Sequence, residues 1–382
     1  VLIGLILPVA VMSYRAIPLF VGCILLLLIL AGDARHVLQR LWARGDSRLL
    51  LALGLLLLWA AASLAWTLQP APAAGVLGLV VLFVVLGALA WAADPDVPAD
   101  VLALALGIGL AVASVLFLVE TANDMALHIR FGSTHNPSKM NQAAILLLLW
   151  MWPVLKILAD RWGRWPALAL LALSGAAIML SESDTARLAL LVSLVGFALV
   201  RFGFRLLPAL IGLGLALLIA VLPWLAAVMQ SDLPPVIVKL FRSGHAAERL
   251  TIWTSFAYAS GLKPFIGFGF NASGLIGFGP LISLFPENLW TGIRDSHPHN
   301  MFLQTWVELG GAGAALLALF LLRLGAIAAA VARPAAPFVA AVMAGAPVVA
   351  LVGHGAWQAW WIAALSAVPV LFRLASASPA RR

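Results

Sequence analysis

The sequence predicts an all-α, polytopic membrane protein with about twelve transmembrane helices. Three observations carry this. Of 382 residues, 64% are hydrophobic and only 10% charged. Apolar runs near the ~20 residues that cross a bilayer follow one another almost without pause, and the charges fall in the gaps between them. A soluble domain of this length carries far more charged surface.

The apolar segments are residues 1–11, 16–31, 49–66, 74–91, 97–119, 143–158, 165–180, 188–200, 206–229, 301–322, 338–352 and 357–371. Residues 1–229 are read as helices one to nine with short loops, 230–300 as a partly helical cap between the ninth and tenth, and 301–382 as helices ten to twelve. The first run has neither a basic n-region nor an A-x-A-like cleavage site, so it reads as a trimmed transmembrane helix rather than a signal peptide. Cys23, the one cysteine, lies inside an apolar run, which excludes a disulfide or a cysteine metal site within these residues.

A formal net charge of +8 would suggest nucleic acid in a soluble protein, but in a membrane protein positive charge first reports orientation. With both termini in the cytoplasm, fourteen of the 23 lysines and arginines fall on the inner side, concentrated in short basic loops such as "DARHVLQRLWARGDSR", "KILADRWGR" and "RFGFR". The other nine are Arg15, Arg130, Lys139, Arg187, Lys239, Arg242, Arg249, Lys263 and Arg294, and eight of them share three outer loops, residues 120–142, 181–187 and 230–300. Long outer loops tolerate charge singly. As a group these cations suit an anionic ligand, and no nucleic-acid partner is expected.

The segment "SHPHNMFLQTWVELGG", residues 296–311, holds the densest functional chemistry. In a helix starting near His299, Asn300, Gln304 and Glu308 recur every four residues and form one polar stripe descending ~12 Å from the loop into the membrane. Such a stripe faces other helices or a watery cavity rather than lipid. For Gln304 and Glu308 interhelical hydrogen bonding is the plain alternative to a site. His299 stands at the loop boundary with His297 two residues earlier, where an imidazole titrating near neutrality can take a proton from a hydroxyl. Gly310, Gly311 and Gly313 read as a face that lets another helix approach closely.

Arg249, near the start of a helical stretch, and Arg187, opening an apolar segment, are either interfacial anchors or bidentate diphosphate ligands. Arg242, Arg130 and Lys139 are weaker candidates for the same anion. "KPFIGFGFNASG" alternates glycine with aromatic residues; its amides can cradle an anion, or it is a turn on a folded cap. No D-x-D, H-E-x-x-H or P-loop pattern occurs, and no clear carboxylate cluster. No metal and no cofactor are expected.

His299, Asn300, nine residues, Gly310, two residues and Gly313 together resemble the signature of the O-antigen ligase family. "SESDTARLALLV" is similar to the family's Ser-Arg helix start, although here Ala186 rather than serine precedes Arg187. "ERLTIWTSFAYASGLKPFIGFGF" resembles its Arg-x-x-x-Trp segment followed by Pro-x-x-Gly-x-Gly. The resemblance spans residues 181–313. It implies a metal-independent, inverting glycosyltransferase that moves a glycan from undecaprenyl diphosphate to the lipid A core at the periplasmic face of the bacterial inner membrane. His299 would deprotonate or orient the acceptor hydroxyl, the outer arginines would hold the diphosphate, and Asn300, Gln304, Glu308 and His297 would support them.

Two relatives of that chemistry, an O-antigen polymerase and a protein O-oligosaccharyltransferase, share the donor and differ in the acceptor. The latter usually carries a further periplasmic domain near its C-terminus, for which only residues 372–382 remain after the last apolar run. A transporter using Glu308 as an ion path is the reading from another class. Transporters gather ionisable residues near the midplane of several helices, whereas here they gather in outer loops.

Overall fold

Each of the twelve apolar segments forms a helix. The structure, a computed structural model, describes residues 2–93, 95–132, 135–231 and 246–377. Its α-helices are α1 Leu2–Met12, α2 Ile17–Ala31, α3 Val37–Arg44, α4 Ser47–Ala62, α5 Pro70–Ala93, α6 Ala99–Ala122, α7 Ala126–Arg130, α8 Asn141–Trp162 and α9 Arg164–Met179. They continue with α10 Asp184–Arg201, α11 Leu207–Ser231, α12 Ala246–Leu262, α13 Ser273–Ile276, α14 Trp290–Ile293, α15 Met301–Ala329, α16 Ala336–Val352 and α17 Ala359–Ala377.

Among the described residues seven helical segments are long and apolar enough to cross a membrane: Tyr14–Ala31, Ser47–Ala65, α5, α6, α8, Leu207–Ala226 and α15. The chain is therefore a multi-pass membrane protein. The remaining apolar segments form helices that are shorter (α1, α9, α16, α17) or, in α10, carry Asp184, Arg187 and Arg201. The expected count of twelve spans thus exceeds what helix length and composition support.

Local chemistry sets the helix starts. Asp46 caps α4 by accepting from Leu49 N at 2.9 Å, Ser183 caps α10 by accepting from Ala186 N at 3.2 Å, and Asn300 caps α15 by accepting from Phe302 N and Leu303 N at 3.1 and 3.0 Å. α8 is buried on every side from Ala143 to Leu158, as an evenly apolar helix at the centre of a bundle must be. α11 runs along α15, α10 along α16, α1 against α6 and α17 against α5. At the end remote from Asn300, Arg323 of α15 grips Asp46 through its Nε (2.8 Å) and a second nitrogen, and Arg205 donates to the Val331 carbonyl at 2.7 Å.

α15 is not continuous. Gly310 has φ 64° and ψ −168°, a conformation closed to L side chains, and a Cβ there would collide with the backbone of Phe265 and Ile266. Residues 264–269 lie across the break and replace its lost ladder bonds. Phe268 N and Gly269 N donate to the Val307 and Glu308 carbonyls, both at 2.8 Å, while Gly311 N donates to the Pro264 carbonyl at 2.7 Å. Trp59 of α4 donates to the Leu309 carbonyl at 2.9 Å. Gly310 was expected to admit a second helix; it admits a turn segment instead, because a broken helix leaves carbonyls and amides that other backbone and side-chain groups must satisfy in a membrane.

Candidate functional site

His299 sits immediately before the cap of α15, in the left-handed region at φ 50°. A non-glycine residue holds that conformation only where its surroundings compensate the strain, and two contacts do so. Its backbone N–H donates to His297 Nδ1 at 3.2 Å, and its ring Nδ1 lies 3.1 Å from the Gly353 carbonyl, between α16 and α17. A carbonyl oxygen only accepts, so Nδ1 carries a proton, and in the neutral ring the lone pair is on Nε2. Nε2 stands 3.6 Å from Asp295 Oδ1, with the His299 side chain 33% exposed, so both solvent and a carboxylate reach it.

Two further imidazoles crowd this point. The His297 and His299 rings meet edge to face with centroids 4.3 Å apart. Burial, then the charge of His299, pushes His297 down to about 4. His354 is pushed down to about 3 by burial and by the charges of His297, His299 and Arg249. Both therefore stay neutral at neutral pH.

The stripe below His299 is fully engaged. Glu308, wholly buried, accepts from Asn271 N at 2.7 Å, Ser273 N at 3.3 Å, Ser273 Oγ at 2.6 Å, Gln304 Nε2 at 2.9 Å and Trp357 Nε1 at 2.6 Å. Gln304 Oε1 in turn accepts from Ala356 N at 2.8 Å. The amides of "KPFIGFGFNASG" were candidates to cradle a ligand anion. What Asn271 N and Ser273 N hold is the Glu308 carboxyl group itself, while Phe268 N and Gly269 N serve the break in α15. Gln304 and Glu308 thus tie the cap to α15 and to the α16–α17 connection. Glu308→Ala is expected to destabilise the fold by roughly 3–5 kcal/mol, because it strands several buried donors at once; thermal unfolding in detergent, compared with Glu308→Gln, measures this.

Asp184 links two of the expected arginines. Its Oδ1 lies 3.3 Å from an Arg187 guanidinium nitrogen, and its charge supports Arg249, which burial pulls below the usual guanidinium range. Arg249 also acts on His354, so the Asp184 cluster and the His299 cluster share one field. Arg187 Nε and Trp253 Nε1 are buried with no hydrogen-bond partner among the described residues. Arg130, exposed at the end of α7, and Lys139 belong to the α6–α8 connection. That connection meets the 181–182 turn around a cavity of about 60 Å³ lined by Glu120, Met140, Ser181 and Glu182 among others. Arg242 lies outside the described residues. Among the described residues no group of three or more His, Cys, Asp and Glu side chains is placed to hold a metal ion.

Sequence reasoning missed the 353–358 connection, which supplies Gly353, His354 and Trp357. Its only signal is the short polar interruption "GHG" between two apolar runs, which reads as an ordinary turn. It also missed the buried contact between Glu120 and His128 Nδ1, whose residues lie at the end of one apolar run and in the loop beyond.

Residues 168–318 match the family model described as O-Antigen ligase. A protein of Rickettsia bellii (strain RML369-C), named "Putative polysaccharide ligase", is 28% identical over 291 residues, covering 71% of this chain and 66% of the relative. A protein of the same name from Rickettsia felis (strain ATCC VR-1525 / URRWXCal2) is 28% identical over 284 residues, 70% of this chain and 66% of the relative. The chain thus spans just under two thirds of these relatives. The family match contains α10, α12, the 264–273 segment, His299 and the break in α15, so it covers the stretch, residues 181–313, over which the resemblance was read from the sequence; the 353–358 connection lies outside it.

Proposed function

We propose that the chain is a glycosyltransferase that moves a glycan from undecaprenyl diphosphate to a hydroxyl of the lipid A core, with its site at the periplasmic face of the bacterial inner membrane. The observation that carries this is the His299 imidazole, whose Nδ1 proton is committed to the Gly353 carbonyl while Nε2 faces outward beside Asp295. Such a ring is set to act as a base.

In the reaction the acceptor hydroxyl gives its proton to His299 Nε2 as its oxygen bonds to the anomeric carbon. The bond from that carbon to the phosphate oxygen breaks, and its electron pair leaves with the diphosphate. Asp295 stabilises the imidazolium. Arg187, paired with Asp184, and Arg249, within the field of the same carboxylate, hold the leaving diphosphate; donors such as Arg187 Nε, buried with no partner among the described residues, suit that task, since preorganised donors contribute ~3–4 kcal/mol each where charge develops. Direct displacement inverts the anomeric centre. The periplasmic placement is supported by the short basic loops at the opposite end, and residues 246–300 belong to the cap under which donor and acceptor meet. On this reading all twelve apolar helices lie in the membrane, the short ones obliquely or in part.

The test is conversion of lipid-linked glycan by the purified protein with lipid A core acceptor. Transfer with inversion is expected; movement of lipid or glycan across a vesicle bilayer with no new glycosidic bond would mark a transporter. Turnover is further expected to survive EDTA, because the proposed donor site offers arginines where a metal-dependent enzyme gathers carboxylates. Loss on chelation and recovery with magnesium or manganese would turn attention to Glu182, Asp184 and Asp295 as ligands.

A further inference from the structure

The 353–358 connection touches the stripe and His299 at once. At one end Trp357 donates to Glu308 Oε2 at 2.6 Å and Ala356 N donates to Gln304 Oε1 at 2.8 Å. At the other, the Gly353 carbonyl receives His299 Nδ1 at 3.1 Å. The Trp357 ring is seated on Phe270, with centroids 4.8 Å apart. Phe270 is itself fixed by Ser63, which accepts from its N–H at 2.9 Å, and by Thr67, which donates to its carbonyl at 2.7 Å. Between the two ends Gly355 lies against the His297 ring, and a Cβ there would stand 2.9 Å from His297 Cδ2.

We propose that this connection is a positioning device for the reaction: Trp357, held by the buried Glu308 carboxylate, sets the Gly353 carbonyl against His299 and thereby keeps the ring in the Nδ1–H tautomer. The inference rests on the base role proposed for His299. The buried carboxylate acts on the site without touching substrate, through an indole N–H and four residues of backbone. This gives Glu308 a use that neither an ion path nor plain helix association supplies. The connection has no regular structure between Val352 and Ala359. The Gly353 N–H still caps α16 on the Val349 carbonyl at 2.8 Å, which fixes the nitrogen side of Gly353, whereas its carbonyl leads into the turn that the pins at Ala356 and Trp357 hold. A ring whose Nδ1 proton is not anchored redistributes to the Nε2–H form, which has no lone pair facing the acceptor.

Trp357→Phe removes the indole N–H and keeps an aromatic ring on Phe270. Gly355→Ala leaves Glu308 untouched and pushes the connection off His297. In full-length protein labelled with ¹⁵N-histidine in nanodiscs, both variants are expected to shift His299 from Nδ1–H toward Nε2–H. Both should also lower kcat by roughly 10- to 100-fold with little change in the donor KM, as loss of an orienting partner does. The His299 resonance is assigned by its absence in His299→Ala. An Nδ1–H signal and a kcat unchanged in both variants would overturn the proposal, as would a fall in thermal stability with normal tautomer and normal turnover per folded molecule. If Trp357→Phe does not fold, Gly355→Ala decides. An active His299→Ala would overturn the base role instead, whatever the tautomer measurement shows.

Discussion

Replacing His299 with alanine is expected to abolish glycan transfer, lowering turnover about 10²- to 10⁴-fold, the range supplied by a positioned general base. Expression and membrane insertion should be unchanged. The side chain is one-third exposed, and its ring makes a single hydrogen bond, to Gly353, so about 1 kcal/mol of stability is at stake. Lipopolysaccharide ladders in cells lacking the native enzyme provide the readout, with turnover of purified protein as the quantitative measure. A normal ladder from the variant would remove His299 from catalysis and leave Asp295 as the remaining proton acceptor at that point. His297→Ala should do less, because His297 contributes an acceptor for the His299 N–H and a ring face rather than a basic nitrogen.

What was legible in the sequence is what local chemistry decides. Polar residues at four-residue spacing inside an apolar run marked the α15 stripe, and Gln304 and Glu308 do meet on one face. Asn300 could be foreseen at a helix start because a polar loop turns apolar there. The same hydropathy does not distinguish a glycine that lets a helix approach from one that ends a helix. The partner that settles the matter for Gly310 is the 264–269 segment, forty-odd residues upstream and on another element. The role of the Phe268 and Gly269 amides was hidden for the same reason: their acceptors, the Val307 and Glu308 carbonyls, are released only because α15 breaks. The 353–358 connection is bound to the site by long-range pairs, Trp357 to Glu308 and Gly353 to His299, neither of which has a local pattern. Counting apolar runs also went beyond what helix length supports at α1, α9, α16 and α17, where apolar composition continues but the helix is shorter than a full span.

Arg249→Lys is expected to weaken donor binding roughly 10- to 100-fold, because a charge-assisted pair contributes ~1.5–3 kcal/mol and each 1.4 kcal/mol is tenfold. The lysine keeps the charge, so any loss isolates geometry: an ammonium is a point donor, whereas a guanidinium presents a planar fork that matches phosphate oxygens. An interfacial anchor would not register this exchange, since lysine snorkels as well as arginine does. The structure sharpens the contrast. Burial works against the Arg249 charge, and Asp184 and Glu248 counter it, so a guanidinium is kept part-buried within the field of the carboxylate that also pairs with Arg187. An anchor belongs at the lipid headgroups, not in a field shared with His354. Binding of undecaprenyl diphosphate to purified wild-type and variant protein, at two salt concentrations, is the measurement. Equal affinity and equal turnover for the lysine variant would count against the diphosphate site at Arg249. Arg187→Lys should follow the same direction with a smaller loss, because Arg187 shares its guanidinium with Asp184 and stands 38% exposed, where solvent weakens each contact it makes.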